Sequence, residues 1–367
     1  MPASIPPPMP AIRRARLPGP GLGDARSAAH ALAMAPFLFQ AARAARDLGV
    51  LARLRSAGPA GATAAAVTAA TTLPATSVVT LLEALLAGAL VAETADGAYV
   101  LTTTGLVWLD DPQVGIDAEF VHHVCWPGLA DLGDSLRQAQ PTGLRRFGPW
   151  ATIYEGLPHL PAAVRAPWFA YDHGHSDAAF PAALAHLAAA APAHLLDVGA
   201  NTGRFARAAL RALPATRVTL LDHPGQLAEA QTALDAAGLT PRATLIGQNL
   251  LDHTNPFPVG QDAVWMSQFL DCFGPDDVTA LLRRARACLA PGGAVWVLEV
   301  CPDRQHEAAA AASLRLASLY FTAVANGVSR FYRARDLLAL AATAGLRPVQ
   351  EWDGLGTAHT LFKLVPA

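Results

Sequence analysis

The chain has 367 residues, of which 52% are hydrophobic and 15% charged, and its formal net charge is −2. That length accommodates two domains with cores of their own, and the near-neutral balance argues against a nucleic-acid binder, which carries a basic excess. The four cysteines, Cys125, Cys272, Cys288 and Cys301, show no C-x-x-C spacing, which argues against a structural zinc site and suits reduced thiols in a cytoplasmic protein.

Residues 1–28 are rich in proline and lack the apolar stretch of a signal peptide, so a disordered tail is expected there. No apolar run is read as reaching the roughly 18 residues of a membrane span, and no membrane partner is expected. Residues 29–111 begin with "ALAMAPFLFQAARAARDLGVLARL", whose apolar residues recur at helical spacing. Two short helices follow, in "TAAAVTAATT" and "PATSVVTLLEALLAGAL". Asp96-Gly97 then sits between two β-type runs, a strong hairpin signal. Three helices and a hairpin predict a winged helix. Its recognition helix would be "ATSVVTLLEALLAG", which contains no arginine or lysine. A major-groove helix needs cations for phosphates and guanines, so the block reads as a dimer interface and no nucleic-acid partner is expected.

Residues 112–185 read as short helices rich in Trp, His and Tyr, a helical linker that either walls a substrate pocket or packs between domains. From residue 186 the pattern becomes strand, helix, strand, helix. The strands are "AHLLDVGA", "RVTLLDH", "ATLIGQN", "DAVWMSQFLD" and "AVWVLEV". Continuous apolar strands between helices predict an α/β domain with a parallel sheet covered on both faces. Two late runs, "RPVQEWDG" and "AHTLFKLV", have a short link that favours an antiparallel pair.

The first strand ends in "LLDVGANTGRF". A strand running into a glycine turn and then a helix presents backbone N–H groups to a ligand. The G-x-G-x-x-G fingerprint is absent, because Asn201 and Arg204 stand at its second and third glycines, which argues against NAD(P) or FAD. What remains is Asp197, Gly199, Asn201 and Gly203, and Asn tolerates left-handed backbone. Asp222 ends the second strand, a position that suits ribose hydroxyls. Asn249 ends the third and offers a contact for an adenine edge, followed by Leu250; Ser267 lies at the end of the fourth. The order and spacing fit S-adenosylmethionine.

In "DVGANTG", "LLDHPGQL", "GQNLLD", "ALLRRARACLAPGGAVWVLEV" and "LLALAATAGL", the chain resembles the class I S-adenosylmethionine-dependent methyltransferases of the caffeic-acid type. The resemblance covers residues 30–367. It implies a Rossmann-like catalytic domain preceded by an α-rich winged-helix dimerisation domain, a homodimer, and cofactor contacts at Asp197, Gly199, Asp222 and Asn249. The family usually has an acid where Asn249 stands. "MSQFLDCF" and "ANGVSRFY" also resemble methyltransferases of bacterial aryl-polyene pigment pathways.

In that family an L-H-x-W stretch follows the fourth strand, and its His is the general base. Here the stretch is Leu270, Asp271, Cys272 and Phe273, so Asp271 holds the His position. The acids that orient the family's His have no glutamate counterpart in "NGVSRFYRARD" or "TAHTLFKL". A phenol has a pKa of ~10 and a free Asp ~3.9, so Asp271 would need burial to serve as a base. The alternatives are that it hydrogen-bonds the substrate or a histidine, or merely closes a turn. His359 and His173 are the other candidate bases, ahead of His122, His123 and His175. His173 and His175 share one face if their segment is extended; without a matching carboxylate set, no metal site is expected. Tyr171 and Asp172 contact the cofactor or pack between domains; Arg330 and Tyr332 bind an acidic or phenolic substrate, or Arg330 pairs with Asp336. The leading expectation is methyl transfer to the phenolic oxygen of a small aromatic or polyketide-like molecule. Transfer to a ring carbon is the alternative, with a cofactor-binding protein of other chemistry and a DNA-binding regulator behind it.

Overall fold

The structure, a computed structural model, describes residues 22–367. The expectation for residues 1–21 lies outside the described residues. Residues 22–28, expected in the tail, are already helical, because the first helix is Leu22–Asp47. The chain divides after Gly115 into two compact units.

In the first unit the long apolar run is two helices, Leu22–Asp47 and Val50–Ala57, broken where Gly49 takes φ 77°. Helix Ala64–Thr71 starts at Thr63, whose hydroxyl accepts from the Ala66 N–H at 3.2 Å, an N-cap. Helix Ala75–Ala87 buries Val78, Leu82 and Leu85. Strands β1 (Val91–Glu93) and β2 (Tyr99–Leu101) pair antiparallel across the turn at Asp96-Gly97. Gly97 has φ 73°, which is why glycine ends this turn.

The second unit is built on a seven-stranded sheet. Its strands are β3 (His194–Val198), β4 (Arg217–Asp222), β5 (Ala243–Gly247), β6 (Gln261–Ser267), β7 (Leu289–Val300), β8 (Leu346–Leu355) and β9 (His359–Pro366). The order is β5-β4-β3-β6-β7-β9-β8, parallel from β5 to β7 and antiparallel for the last two pairs. Alternate residues serve opposite faces. Leu196, Val198, Val264, Met266, Val295 and Val297 pack with helices Pro275–Ala287 and Ala334–Thr343. Leu195, Leu220, Trp265, Trp296 and Leu298 pack with helices Phe180–Ala190, Arg204–Ala212 and Pro224–Ala236. Two buried faces explain why these strands are almost wholly apolar.

β3 is the switch point: β4 and β5 lie on one side of it, β6 and β7 on the other. Chain connections diverge there and leave a crevice beyond the strand ends, where α/β proteins bind ligands. Residues between 120 and 171, within the segment 112–185 expected as a helical linker and pocket segment, share a third core with residues from 300 to 331. That core includes Phe120, Ile153, Leu157, Trp168, Val300, Tyr320, Phe321 and Phe331. One sequence reading needs correction. Ala308–Ala325 is 18 residues long and apolar enough to cross a membrane. Its Leu314, Tyr320 and Phe321 are buried in this core.

Candidate active site

A cavity of about 610 Å³ opens at the switch point, lined only by residues of the second unit. Its first wall is the turn after β3. Gly199 (φ 76°), Asn201 (φ 47°) and Gly203 (φ 72°) are all left-handed. Any Cβ at Gly199 would stand 2.3 Å from the Phe269 ring, so both conformation and space demand glycine. Asn201 supplies a left-handed residue with a polar side chain. Its backbone N–H donates to Asp222 Oδ2 at 2.7 Å, and the His223 N–H donates to Asp222 Oδ1 at 2.6 Å. The Asp222 carboxylate is therefore fixed in orientation. Burial raises its pKa, and these two N–H donors oppose the rise.

Of the eight expected cofactor contacts, Gly199, Asn201, Asp222, Asn249 and Leu250 line the cavity. Three expected contacts do not. Asp197 is 3% exposed within β3, beneath the turn, and burial followed by Asp222 raises its pKa to about 8. Gly203 opens the helix and faces Ala230, where an added Cβ would come to 3.1 Å. Ser267 ends β6 with its hydroxyl buried and unpartnered, and the next residue, Gln268, reaches the cavity instead. Gln268 has φ 42°, an unusual conformation for a residue with a side chain. It ends β6 three residues before the predicted aspartate.

The cradle fits the cofactor the sequence implies. Asn201 Oδ1 and Gln248 Nε2 are buried cavity-wall atoms without a partner, and buried polar groups of this kind need a ligand or water. Gly199 keeps the turn clear of side chain, and the oriented Asp222 offers acceptors to a diol. Asn249 already accepts from the Leu251 N–H at 3.0 Å through Oδ1, which leaves a second lone pair on that oxygen. Arg284 secures this loop by donating to the Leu250 carbonyl at 2.6 Å.

Beyond the cradle the wall is aromatic and acidic. Asp271 lines the cavity and is 4% exposed, in the short turn Leu270–Cys272. Burial pushes its pKa up to about 7, with a weak hydrogen bond from Cys272 Sγ, at 3.5 Å, opposing. Asp172 lines the same cavity and accepts from Asn201 Nδ2 at 3.2 Å. Burial, then the neighbouring Asp271 and Asp177, raise it likewise to about 7. The Tyr154 hydroxyl is buried near Cys272 and Asp271.

The turn that carries Asp271 is pinned by Asn326 of the cavity wall and by Glu299 and Tyr332 behind it. Glu299 Oε1 accepts from the Phe269 and Leu270 N–H groups at 3.0 and 2.8 Å. Asn326 Nδ2 donates to the Cys272 carbonyl at 2.6 Å, and the Tyr332 hydroxyl donates to the Phe273 carbonyl at 2.7 Å. Tyr332 thus serves the loop, and Arg330 is exposed and pairs with Asp336 at 3.3 Å.

The two histidine candidates lie elsewhere. His359 is fully buried at the start of β9, behind the wall, with Nε2 3.2 Å from Gln268 Oε1; burial lowers its pKa to about 3. His173 does not line the cavity either. Its ring lies on Phe169 with centroids 5.5 Å apart, and burial, then Arg204, lower its pKa to about 4. The segment is helical, Ala162–Ser176, so His173 and His175 diverge where an extended chain would have aligned them. The sequence reading missed Gln248, Gln268, Tyr154, Glu299 and Asn326. Gln248 and Gln268 adjoin residues it chose; no local signal marks the other three.

A parallel sheet with a left-handed Gly-x-Asn turn at its switch point and an acid ending the next strand defines a class I methyltransferase site. The comparisons agree. An O-methyltransferase domain model matches residues 174–347. L-tyrosine C(3)-methyltransferase of Streptomyces lavendulae is 30% identical over 274 residues, 74% of this chain and 73% of that protein. A 2,7-dihydroxy-5-methyl-1-naphthoate 7-O-methyltransferase of Streptomyces carzinostaticus is 29% identical over 288 residues, 77% of this chain and 82% of that one. Among solved structures, the S-adenosylmethionine-dependent methyltransferase SibL is 29% identical with a TM-score of 0.72, across 93% of this chain and 99% of its own. The chain belongs to the O-methyltransferase-domain family and is an S-adenosylmethionine-dependent methyltransferase.

Proposed function

We propose that this enzyme methylates the phenolic oxygen of a small aromatic or polyketide-like acceptor, with Asp271 as the general base. The observation that carries the reading is the single cavity that joins the cradle of Gly199, Asn201 and Asp222 to an aromatic wall across Asp271. When bound, S-adenosylmethionine supplies an electrophilic methyl group. Asp222 and Asn249 would hold its ribose and adenine, and Asp172, tied to Asn201, gives the wall negative charge beside the turn. Asp271 accepts the hydroxyl proton as the oxygen becomes nucleophilic. A carboxyl with a pKa of about 7 is closer to the phenol's ~10 than a free Asp, so the proton transfer is less uphill. Fixed placement of the two reactants supplies much of the remaining acceleration. His359 acts through Gln268, as a positioning residue.

Transfer to a ring carbon is the second reading, favoured by the resemblance to a tyrosine C(3)-methyltransferase; loss of the ring proton also needs a base. Incubation with methyl-labelled S-adenosylmethionine and a panel of phenols, read by mass spectrometry and NMR, tests both. A methoxy signal supports the first reading and an aryl-methyl signal the second. Cofactor consumption without a methylated product would favour other chemistry on the same fold.

The N-terminal helices and hairpin read best as a winged-helix dimerisation domain of a cytoplasmic homodimer. Leu32, Met34 and Phe37 are 77%, 56% and 75% exposed on the first helix, an apolar surface suited to a second copy. Helix Ala75–Ala87 carries no arginine or lysine for DNA.

A further inference from the structure

The cavity wall carries charge of one sign. Among the described residues that line it, Glu155, Asp172, Asp222, Asp271 and Asp277 are acids, and none is an arginine or a lysine. His223 lines it too, and its Nδ1 accepts from the Gly225 N–H at 3.3 Å. Nearby cations are engaged away from the wall. Arg330 pairs with Asp336, Arg204 pairs with Asp177, and Arg284 holds the Leu250 carbonyl and covers the Phe257 ring.

The acids differ in what remains open to a ligand. Asp222 receives two backbone N–H groups, and Asp277 lies 2.9 Å from His253. Glu155 accepts from the Ala151 N–H at 3.3 Å, Asp172 from Asn201 Nδ2 at 3.2 Å and Asp271 from Cys272 Sγ at 3.5 Å, so each is held by neutral donors and none of the three is paired with an arginine or lysine among the described residues. A carboxylate brought there would leave water without gaining a cationic side chain from the wall. It would also meet like charges in a medium where repulsion is several times stronger than in water.

We infer that the acceptor carries no carboxylate: the site takes a neutral or positively charged phenol and rejects an anionic one. The assignment rests on the reading of this cavity as the methyl-acceptor site. It separates the enzyme from a naphthoate methyltransferase that it otherwise resembles.

The test uses three matched probes: a hydroxynaphthoic acid, its methyl ester and the aminomethyl naphthol with the same ring substitution. Each is titrated calorimetrically into the full chain saturated with S-adenosylhomocysteine at pH 8. The ester and the amine are expected to bind at least about tenfold more tightly than the acid, as like-charge repulsion at an effective dielectric near 20 implies. Glu155→Gln, at an exposed position, should narrow that gap about threefold. Asp271→Asn should narrow it further. An acid that binds as tightly as its ester overturns the assignment, as does a failure of all three to bind. Turnover with labelled cofactor is measured in parallel. Charge discrimination without a methylated product would sustain the assignment and sink the methyl-transfer reading. Equal methylation of acid and ester would do the reverse.

Discussion

Asp271 stands where the resembling family keeps a histidine, and its chemistry follows from burial. A carboxyl that is 4% exposed and lifted to about pKa 7 is half-protonated near neutrality. As the base it must be ionised, so kcat/KM should rise with pH through about 7. Asp271→Asn should lower kcat by a hundredfold or more, in line with the loss of a general base; survival of activity would move the proton to another acceptor. The same substitution bears on stability. The folded pKa lies above the unfolded value, so the group's contribution is fully present below about pH 3.8 and is lost as pH rises through about 7. Asparagine removes that loss. The variant should melt several degrees higher than the parent at pH 8 and close to it at pH 4.5, as thermal melts at both values would show. Gly199→Ala is the companion change at the cradle. It forces a Cβ into a φ of 76° and to 2.3 Å from Phe269. We expect at least a tenfold loss of S-adenosylhomocysteine affinity by calorimetry and a stability cost of about 1–3 kcal/mol.

At the scale of elements, the decisive piece is the loop after β6. Sequence reasoning carried the strand through to Asp271, since six of the ten residues of "DAVWMSQFLD" are apolar. The strand stops at Ser267 because Gln268 turns left-handed, with its N–H on the Leu298 carbonyl at 2.9 Å and its side chain against His359. Glu299, Asn326 and Tyr332 then hold Phe269, Leu270, Cys272 and Phe273 by their backbone. None of these three is near the loop in sequence, and none has a local pattern that announces the role. Replacing Asn326 with Ala and Tyr332 with Phe together frees the Cys272 and Phe273 carbonyls. That pair should reduce kcat about tenfold or more while leaving S-adenosylhomocysteine affinity within about twofold, because the cradle is built on other strands. An equal fall in cofactor affinity would show that loop and cradle do not act separately.

For the whole molecule, a parallel sheet covered on both faces was legible from alternating strand and helix patterns, and the antiparallel end from a short link; the strand order that puts the crevice at β3 was not. The first cavity wall was legible for the same reason: strand, turn and helix follow one another within "LLDVGANTGRF". Leu32, Met34 and Phe37 lead to a further expectation. If the first unit dimerises, light scattering should give twice the chain mass, and charged substitutions at these three positions should halve it without loss of the folded circular-dichroism spectrum.

The sequence by itself determined the sheet, the glycine turn, the acid at the end of β4 and the odd aspartate after β6. Those features rest on period-two and period-3.6 patterns and on turn chemistry, which act between near neighbours. Only the tertiary structure decided that Asp271 and Asp172 share one cavity and that His359 lies behind Gln268. It also brought acids and aromatic rings from residues 120–172 and 317–331 around the cofactor cradle. Burial, and the electrostatics that follow from it, depend on what the rest of the chain places around a residue, and no local spacing encodes that.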